Sequence, residues 1–216
     1  ADPAAFAAVV ESVTRPAADG VPGLTTAGAA AAAGIIASIG ALEGSELARL
    51  VGVRVPDLVA YQDAAYARAY AEVVHGLVDG DPRLAEAVAI GLHKLMAYKD
   101  EYEVARLYVD GGFAAQLAER FEGGYRLEFH LAPPLLAKKN ERGELVKQSY
   151  GPWMRTAFTW LAKLKGLRGT ALDPFGRTEE RRTERALIGE YEALVKWAAA
   201  RLTPATSALC VELAEL

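Results

Sequence analysis

The sequence predicts a mainly α-helical fold of the α+β kind, with one small β-hairpin inserted among the helices. Three observations carry this. Apolar residues recur at helical spacing over most of the chain, glycine, proline and capping residues mark the ends of those runs, and one stretch alternates with a period of two. The 216 residues are 52% apolar, enough for a sizeable core, so the chain is globular.

Residues 1–52 differ in texture from the rest. Pro16, Gly20, Pro22, Gly23, Gly40 and Gly44 punctuate two alanine-rich segments, and the stretch reads as a linker-like lead-in to a helical domain over 53–216. Within it, Leu24 to Leu42 carries no charge. Its bulk is alanine and glycine, and no Lys, Arg, Trp or Tyr flanks it closely, which predicts a packed or partly mobile alanine-rich helix in preference to a membrane span.

A firm helix is expected to start at Pro56, because proline suits the first helical turn, with Val59, Tyr66, Tyr70, Val73 and Leu77 at helical spacing and Gly76 and Asp79-Gly80 at its end. Asp81 caps the next helix at Pro82, and Leu84, Val88, Leu95, Tyr102 and Val109 extend it on one face into a long, kinked element. A short helix follows from Phe113 to Phe121. Tyr125, Leu127, Phe129 and Leu131 then alternate with Arg126, Glu128 and His130, the pattern of a half-buried strand. Pro133-Pro134 interrupts the ladder, Lys138 to Glu144 forms the tip, and Leu145 to Tyr150 returns, so the hairpin spans about 125–150 and must pack on helices. Helix resumes from Pro152 to about Lys165, a glycine-punctuated loop runs from Gly166 to Gly176, and Thr178 caps a helix whose buried face holds Leu187, Tyr191, Leu194, Ala198 and Leu202. Thr203-Pro204 opens the last helix.

The formal net charge is −4, with both signs spread along most of the chain, so no basic surface is advertised for nucleic acid or anionic lipid. The single Cys210 cannot form an internal disulfide, and His75, His93 and His130 lack metal-ligand spacing, which fits a reducing cytoplasm. The chain opens Ala1-Asp2-Pro3 without methionine or a basic signal start and stops at Leu216 inside a helical pattern, so both ends read as cut.

Three constellations invite a chemical reading. Lys99, Asp100, Glu101, Tyr102, Glu103 and Arg106 place acids, a base and a phenol together, yet residues three or four apart share a helix face, and surface ion pairs Lys99–Glu103 and Glu103–Arg106 are the preferred reading. The loop around Gly166, with Lys163, Lys165, Arg168 and Arg177, can meet a phosphate or an acidic partner, although it is neither phosphate-binding motif and Glu179 and Glu180 occupy the turn where an anion would sit. A tight loop anchored by Phe175 is preferred. His130 with Cys210 or Asp173 has nothing in its spacing to orient a nucleophile; Cys210, and Trp153, Phe158 and Trp160, read as core residues.

From about Arg54 onward, several strings resemble one family. They are Ala60-Tyr61-Gln62-Asp63-Ala64-Ala65-Tyr66, Met96-Ala97-Tyr98-Lys99-Asp100-Glu101-Tyr102-Glu103-Val104-Ala105-Arg106-Leu107-Tyr108, Phe129-His130-Leu131-Ala132-Pro133-Pro134, Gly151-Pro152-Trp153-Met154, Leu164-Lys165-Gly166-Leu167-Arg168-Gly169-Thr170 and Asp173-Pro174-Phe175-Gly176. Together they resemble the carboxy-terminal domain of unknown function of fused indolepyruvate:ferredoxin oxidoreductases. Ala1 to Ala5 is similar to the tail of the preceding domain there, while Arg15 to Val51 matches poorly. The resemblance implies a parent that uses thiamine diphosphate with magnesium to decarboxylate an aryl 2-oxoacid, passing the acyl group to coenzyme A and electrons through [4Fe-4S] clusters to ferredoxin. This segment has no cysteine array for a cluster and no Gly-Asp-Gly motif for magnesium diphosphate, so the expectation is an accessory domain without cofactors or catalytic residues of its own. Its expected partners are the parent's other domains or subunits, with ferredoxin reached through the parent and neither nucleic acid nor membrane among them. The alternative is a ligand-binding module in which Lys165, Arg168 and Arg177 contact the phosphates of coenzyme A or the substrate.

Overall fold

A computed structural model describes residues 21–110, 119, 126–131 and 146–215. The short helix expected over 113–121 lies, Glu119 apart, outside the described residues, as do Pro133-Pro134 and the hairpin tip. The described residues form eight α-helices and one two-stranded antiparallel sheet, the mainly α fold with a hairpin that the periodicity predicts.

Helix α1 (Thr26–Ile39) begins where the Thr25 hydroxyl accepts from the Gly28 amide at 3.0 Å and ends at Gly40, whose φ of 72° is a left-handed conformation that glycine adopts without a Cβ clash. It is no linker. Ala32, Ile35 and Ile39 are buried in the main core, and α1 packs on α2 (Glu46–Tyr61) and α3 (Ala64–His75). Of the described residues, no helix is long and apolar enough to cross a membrane.

Helix α2 starts ten residues before Pro56, at the Ser45 cap, and crosses the 52/53 boundary that the change in texture suggested. Proline inside a helix leaves the carbonyl four residues back without its partner. Here that residue is the exposed Gly52, where water can serve it, so tertiary packing of Val55, Leu58 and Val59 overrides the local signal. The run expected from Pro56 to Gly76 is also two helices. Tyr61 ends α2, and Asp63 at once caps α3 through the Tyr66 amide at 2.8 Å.

Asp81 caps α4 (Pro82–Met96) as expected, but the long kinked helix predicted beyond it breaks at residues 97–100. Asp100 starts α5 (Glu101–Asp110) by accepting from the Glu103 amide at 2.8 Å. Strand β1 (Phe129–Leu131) pairs with β2 (Gln148–Tyr150) in the register Phe129 to Tyr150. Helix α6 (Trp153–Lys163), a 3-10 turn (Leu164–Leu167), α7 (Glu179–Ala199) and α8 (Ser207–Glu215) complete the order. Thr178 caps α7, while Leu187, predicted on its buried face, is 41% exposed; Tyr191 and Ala198 carry the contact instead.

Two apolar clusters result. The larger joins α1 to α4 with α7 and α8 and contains the buried Cys210. Three tyrosines stitch it, Tyr70 and Tyr191 buried and Tyr66 half-buried, each hydroxyl donating to a carbonyl of another segment: Tyr66 to Met96, Tyr70 to Ala89 and Tyr191 to Ala214, at 2.9, 2.9 and 2.6 Å. Gly91 makes room for the last of these, because a Cβ there would collide with the Tyr191 hydroxyl. The smaller cluster, Ala105, Phe129, Met154 and Phe158, lies between α5, the hairpin and α6. Buried and half-buried charged side chains of α2, α5 and the segment after α6 bond to one another.

Candidate functional site

This charged network is built at helix ends. The last carbonyls of α2 have no intrahelical partners and lie at the negative end of its dipole. Lys165 donates to the Ala60 carbonyl, and Arg168 Nη1 donates to the Tyr61 carbonyl at 2.7 Å. The same guanidinium grips Asp100 with two parallel bonds, 2.5 Å from Nε and 2.9 Å from Nη2, and its carbon sits 3.7 Å from the centre of the Tyr61 ring. Arg168 and Asp100 are both 3% exposed. Burial works against the charge on Arg168, but the bonds to Asp100 and the electrostatics of Tyr61, Asp100 and Tyr98 raise its pKa. For Lys165, burial and then the charges of Arg106 and Arg168 lower it.

Beside this pair, Arg106 donates from Nε and Nη2 to the two Glu103 oxygens at 2.8 and 2.7 Å, from Nη2 to Asp57 at 3.1 Å and from Nη1 to the Pro22 carbonyl at 2.6 Å. Asp57 bonds His93 Nε2 at 3.0 Å. Burial pushes the Asp57 carboxyl up, yet the His93 bond and the Arg106 charge outweigh that and hold it below the ordinary range. The predicted surface pairs are thus corrected. Glu103 and Arg106 do pair, but both are buried, with Asp57 of α2 and the Pro22 carbonyl on the same guanidinium, and Lys99 stays exposed.

That loop is anchored as expected, with Phe175 edge-on to Tyr102 at 5.4 Å. Asp173 accepts from the Tyr102 hydroxyl at 3.2 Å and from the amides of Phe175 and Gly169 at 3.1 and 2.8 Å. Burial pushes its carboxyl up, but the amides of Gly169, Gly176 and Phe175 lower it more.

The chemical capacity of this network is to fasten α2, α5 and the 164–178 loop together. Of the three cations singled out in the sequence, Lys165 and Arg168 converge on the end of α2 and are occupied there. Arg177 is exposed elsewhere, donating to the Ala171 carbonyl at 3.3 Å. His130, Cys210 and Asp173 have separate partners: Ser149 bonds the His130 ring at 3.0 Å, and the buried Cys210 thiol faces the Ala198 carbonyl.

Residues 47–216 match the model of a family of unknown function, DUF6537. The chain belongs to the DUF6537 family. No curated protein and no solved structure matches it. The DUF6537 match starts inside α2, so α1 precedes it in sequence while contributing to the same core.

The DUF6537 chain also exposes aromatic side chains whose hydrophobicity predicts burial. Trp153 and Trp160 were expected as core anchors; they are 57% and 65% exposed, whereas Phe158 is buried. At 3.6 residues per turn, Trp153, Trp160 and Leu164 fall within about 40° of one another, and Met154 and Phe158 point roughly 100° or more away. Helix α6 is apolar on two faces, one packed on the smaller cluster and one that, continued by Leu164 of the 3-10 turn, leaves Trp160 largely exposed while Trp153 meets Tyr150 of β2 edge-on at 5.9 Å. The seven-residue spacing of the tryptophans beside the four-residue spacing of Met154 and Phe158 was the available signal.

Proposed function

We propose that this DUF6537 chain is an accessory, non-catalytic domain of an indolepyruvate:ferredoxin oxidoreductase-like enzyme, docking on that enzyme's other domains or subunits through the outer face of α6. The parent reaction in this reading is thiamine diphosphate-dependent oxidative decarboxylation of an aryl 2-oxoacid to its acyl-coenzyme A, with electrons sent to ferredoxin in the cytoplasm. The link to that enzyme rests on the sequence strings given above. The docking role rests on one observation, the second apolar face of α6, since a large exposed apolar face beside a packed one marks an interaction surface.

Thiamine diphosphate, magnesium, iron-sulfur clusters and coenzyme A are assigned to other parts of the parent. One cysteine cannot supply a cluster's thiolates, and among the described residues no group of three or more His, Cys, Asp or Glu is placed to hold a metal ion. The competing reading, coenzyme A phosphates on Lys165, Arg168 and Arg177, must first displace Arg168 from Asp100 and Lys165 from the end of α2.

The test is hydroxyl-radical footprinting of the intact parent. Trp160, 65% exposed in the chain alone, should be oxidised far more slowly in the native parent than in the parent unfolded in urea. Oxidation at the unfolded rate would refute docking through this face.

A further inference from the structure

We infer that the outer face of α6 receives an acidic segment that also carries apolar side chains, belonging to another domain of the parent; this rests on the docking reading above and specifies its partner. The stretch from 145 to 172 contains Lys147, Arg155, Lys163, Lys165 and Arg168 and no Asp or Glu, although acids outnumber bases 28 to 24 over the whole chain. Lys165 and Arg168 turn inward. Lys147, Arg155 and Lys163 remain exposed, Lys163 beside the outer face and Arg155 about 160° around the helix from Trp153, and on the approach to β1 the exposed Arg126 and Glu128 cancel.

Lys163 decides the chemistry. Its ammonium lies 5.4 Å from the centre of the Trp160 ring, already seated on the face that docking would cover. An occupant that buries Trp160 takes that ammonium out of water with it. A buried cation without an anionic, hydrogen-bonding partner is strongly unfavourable, so the occupant must bring a carboxylate to Lys163 together with apolar side chains for Trp153, Trp160 and Leu164. Trp153 to Leu164 covers roughly 16 Å of helix, room for one helix or strand of a partner. A second copy of this chain fits badly, because a two-fold contact along α6 brings like-charged stretches together. Along 146–172 a nucleic acid or an anionic bilayer finds three exposed cations, of which only Lys163 is seated against Trp160, too few on this face for a polyanion.

The experiment places the photo-reactive residue p-benzoylphenylalanine at Trp160 in the full parent and maps the cross-linked peptide after irradiation. The inference expects an adduct outside residues 1–216, on a segment rich in Asp or Glu within two helical turns of the cross-link. Lys163→Glu in the same protein should then reduce the adduct about tenfold, with Lys163→Arg near the starting yield. An adduct on a neutral or basic segment overturns the acidic partner while leaving docking intact. An adduct on α6 of a second copy replaces the partner with self-association. Retention of the parent on phosphatidylserine vesicles or a single-stranded oligonucleotide, lost on Lys163→Glu, would assign the face to a polyanion and overturn the inference. No protein adduct at all removes the docking reading itself.

Discussion

The bundle of α1 to α4, α7 and α8 and the outer layer of α5, the hairpin and α6 are stabilised differently. The bundle buries a long apolar list and has its loose ends tied by tyrosine hydroxyls and by His75, which bonds the last carbonyl of α1 at 3.0 Å. The described part of the outer layer has five buried apolar residues, Tyr102, Ala105, Phe129, Met154 and Phe158, an aromatic cluster of Tyr108, Phe129 and Phe158, and a buried ionic network. Apolar burial is nondirectional and additive, whereas a buried ion pair is stabilising only while every partner is present. The bundle should therefore tolerate loss of a contact better than the joint does, and the outer layer should open first.

The largest expected effect comes from breaking the joint. Arg168→Met removes a cation that neutralises Asp100, caps α2 and stacks on Tyr61, leaving a buried carboxylate that also has to cap α5. Such a loss costs about 3–5 kcal/mol. Arg168→Lys should recover only part of it, because an ammonium cannot reproduce the paired bonds. In denaturant titrations both variants should fall in that order, and hydrogen exchange should show α6 amides losing protection before those of α4. Parallel loss in α4 and α6 would mean that the two regions unfold as one unit.

How much of this was legible in the sequence follows the same division. Helical periodicity, the Asp81 and Thr178 caps, the Phe129 strand and the buried Cys210 were readable because each depends on neighbours along the chain. Pro56 misled because its cost is offset by packing against distant helices. The break at 97–100 was hidden because Asp100 was assigned to a surface helix, and its cap role became compelling only with Arg168, 68 residues away, closing on it. The same distant pairing explains why Lys165 and Arg168 looked like an exposed basic loop: a short stretch of sequence gives charge and glycine content, but not which helix end the cations will meet. Trp153 and Trp160 were assigned inward on hydrophobicity alone, which says that a side chain leaves water and not into which neighbour.

A middle-sized effect concerns pH and the bundle's edge of the joint. Asp57 on α2 joins His93 on α4 to Arg106 on α5, and its carboxyl is held below the ordinary range in the folded chain. As pH falls, the unfolded chain takes up this proton first, so the stabilisation is present above the unfolded pKa, near 4, and is lost as pH falls through the folded pKa. Asp173 contributes with the same sign. Glu101 has the opposite one: burial raises its carboxyl, so its contribution is full below the unfolded pKa and fades as pH rises through the folded one. Asp57→Asn should be less stable than the wild type at pH 7 and lose less on acidification, the two slopes differing by at most about 1.4 kcal/mol per pH unit. Urea titrations from pH 7 to pH 2.5 check this; curves that stay parallel would place the acid sensitivity elsewhere.

The smallest expected effect on the chain's own stability sharpens the comparison most. Trp160→Ser removes the most exposed of the large aromatic side chains on α6 and leaves Met154 and Phe158 on the smaller cluster untouched. A surface substitution of this kind changes stability by about 0.5 kcal/mol or less, apart from the helix preference of serine. Phe158→Ala, two residues away on the packed face, should cost several times more, up to about 3–5 kcal/mol if the cavity does not collapse. Thermal or urea unfolding of the isolated 216-residue chain measures both. A large loss for Trp160→Ser would mean that the outer face of α6 already helps hold this chain together, and the case for a partner there would go with it.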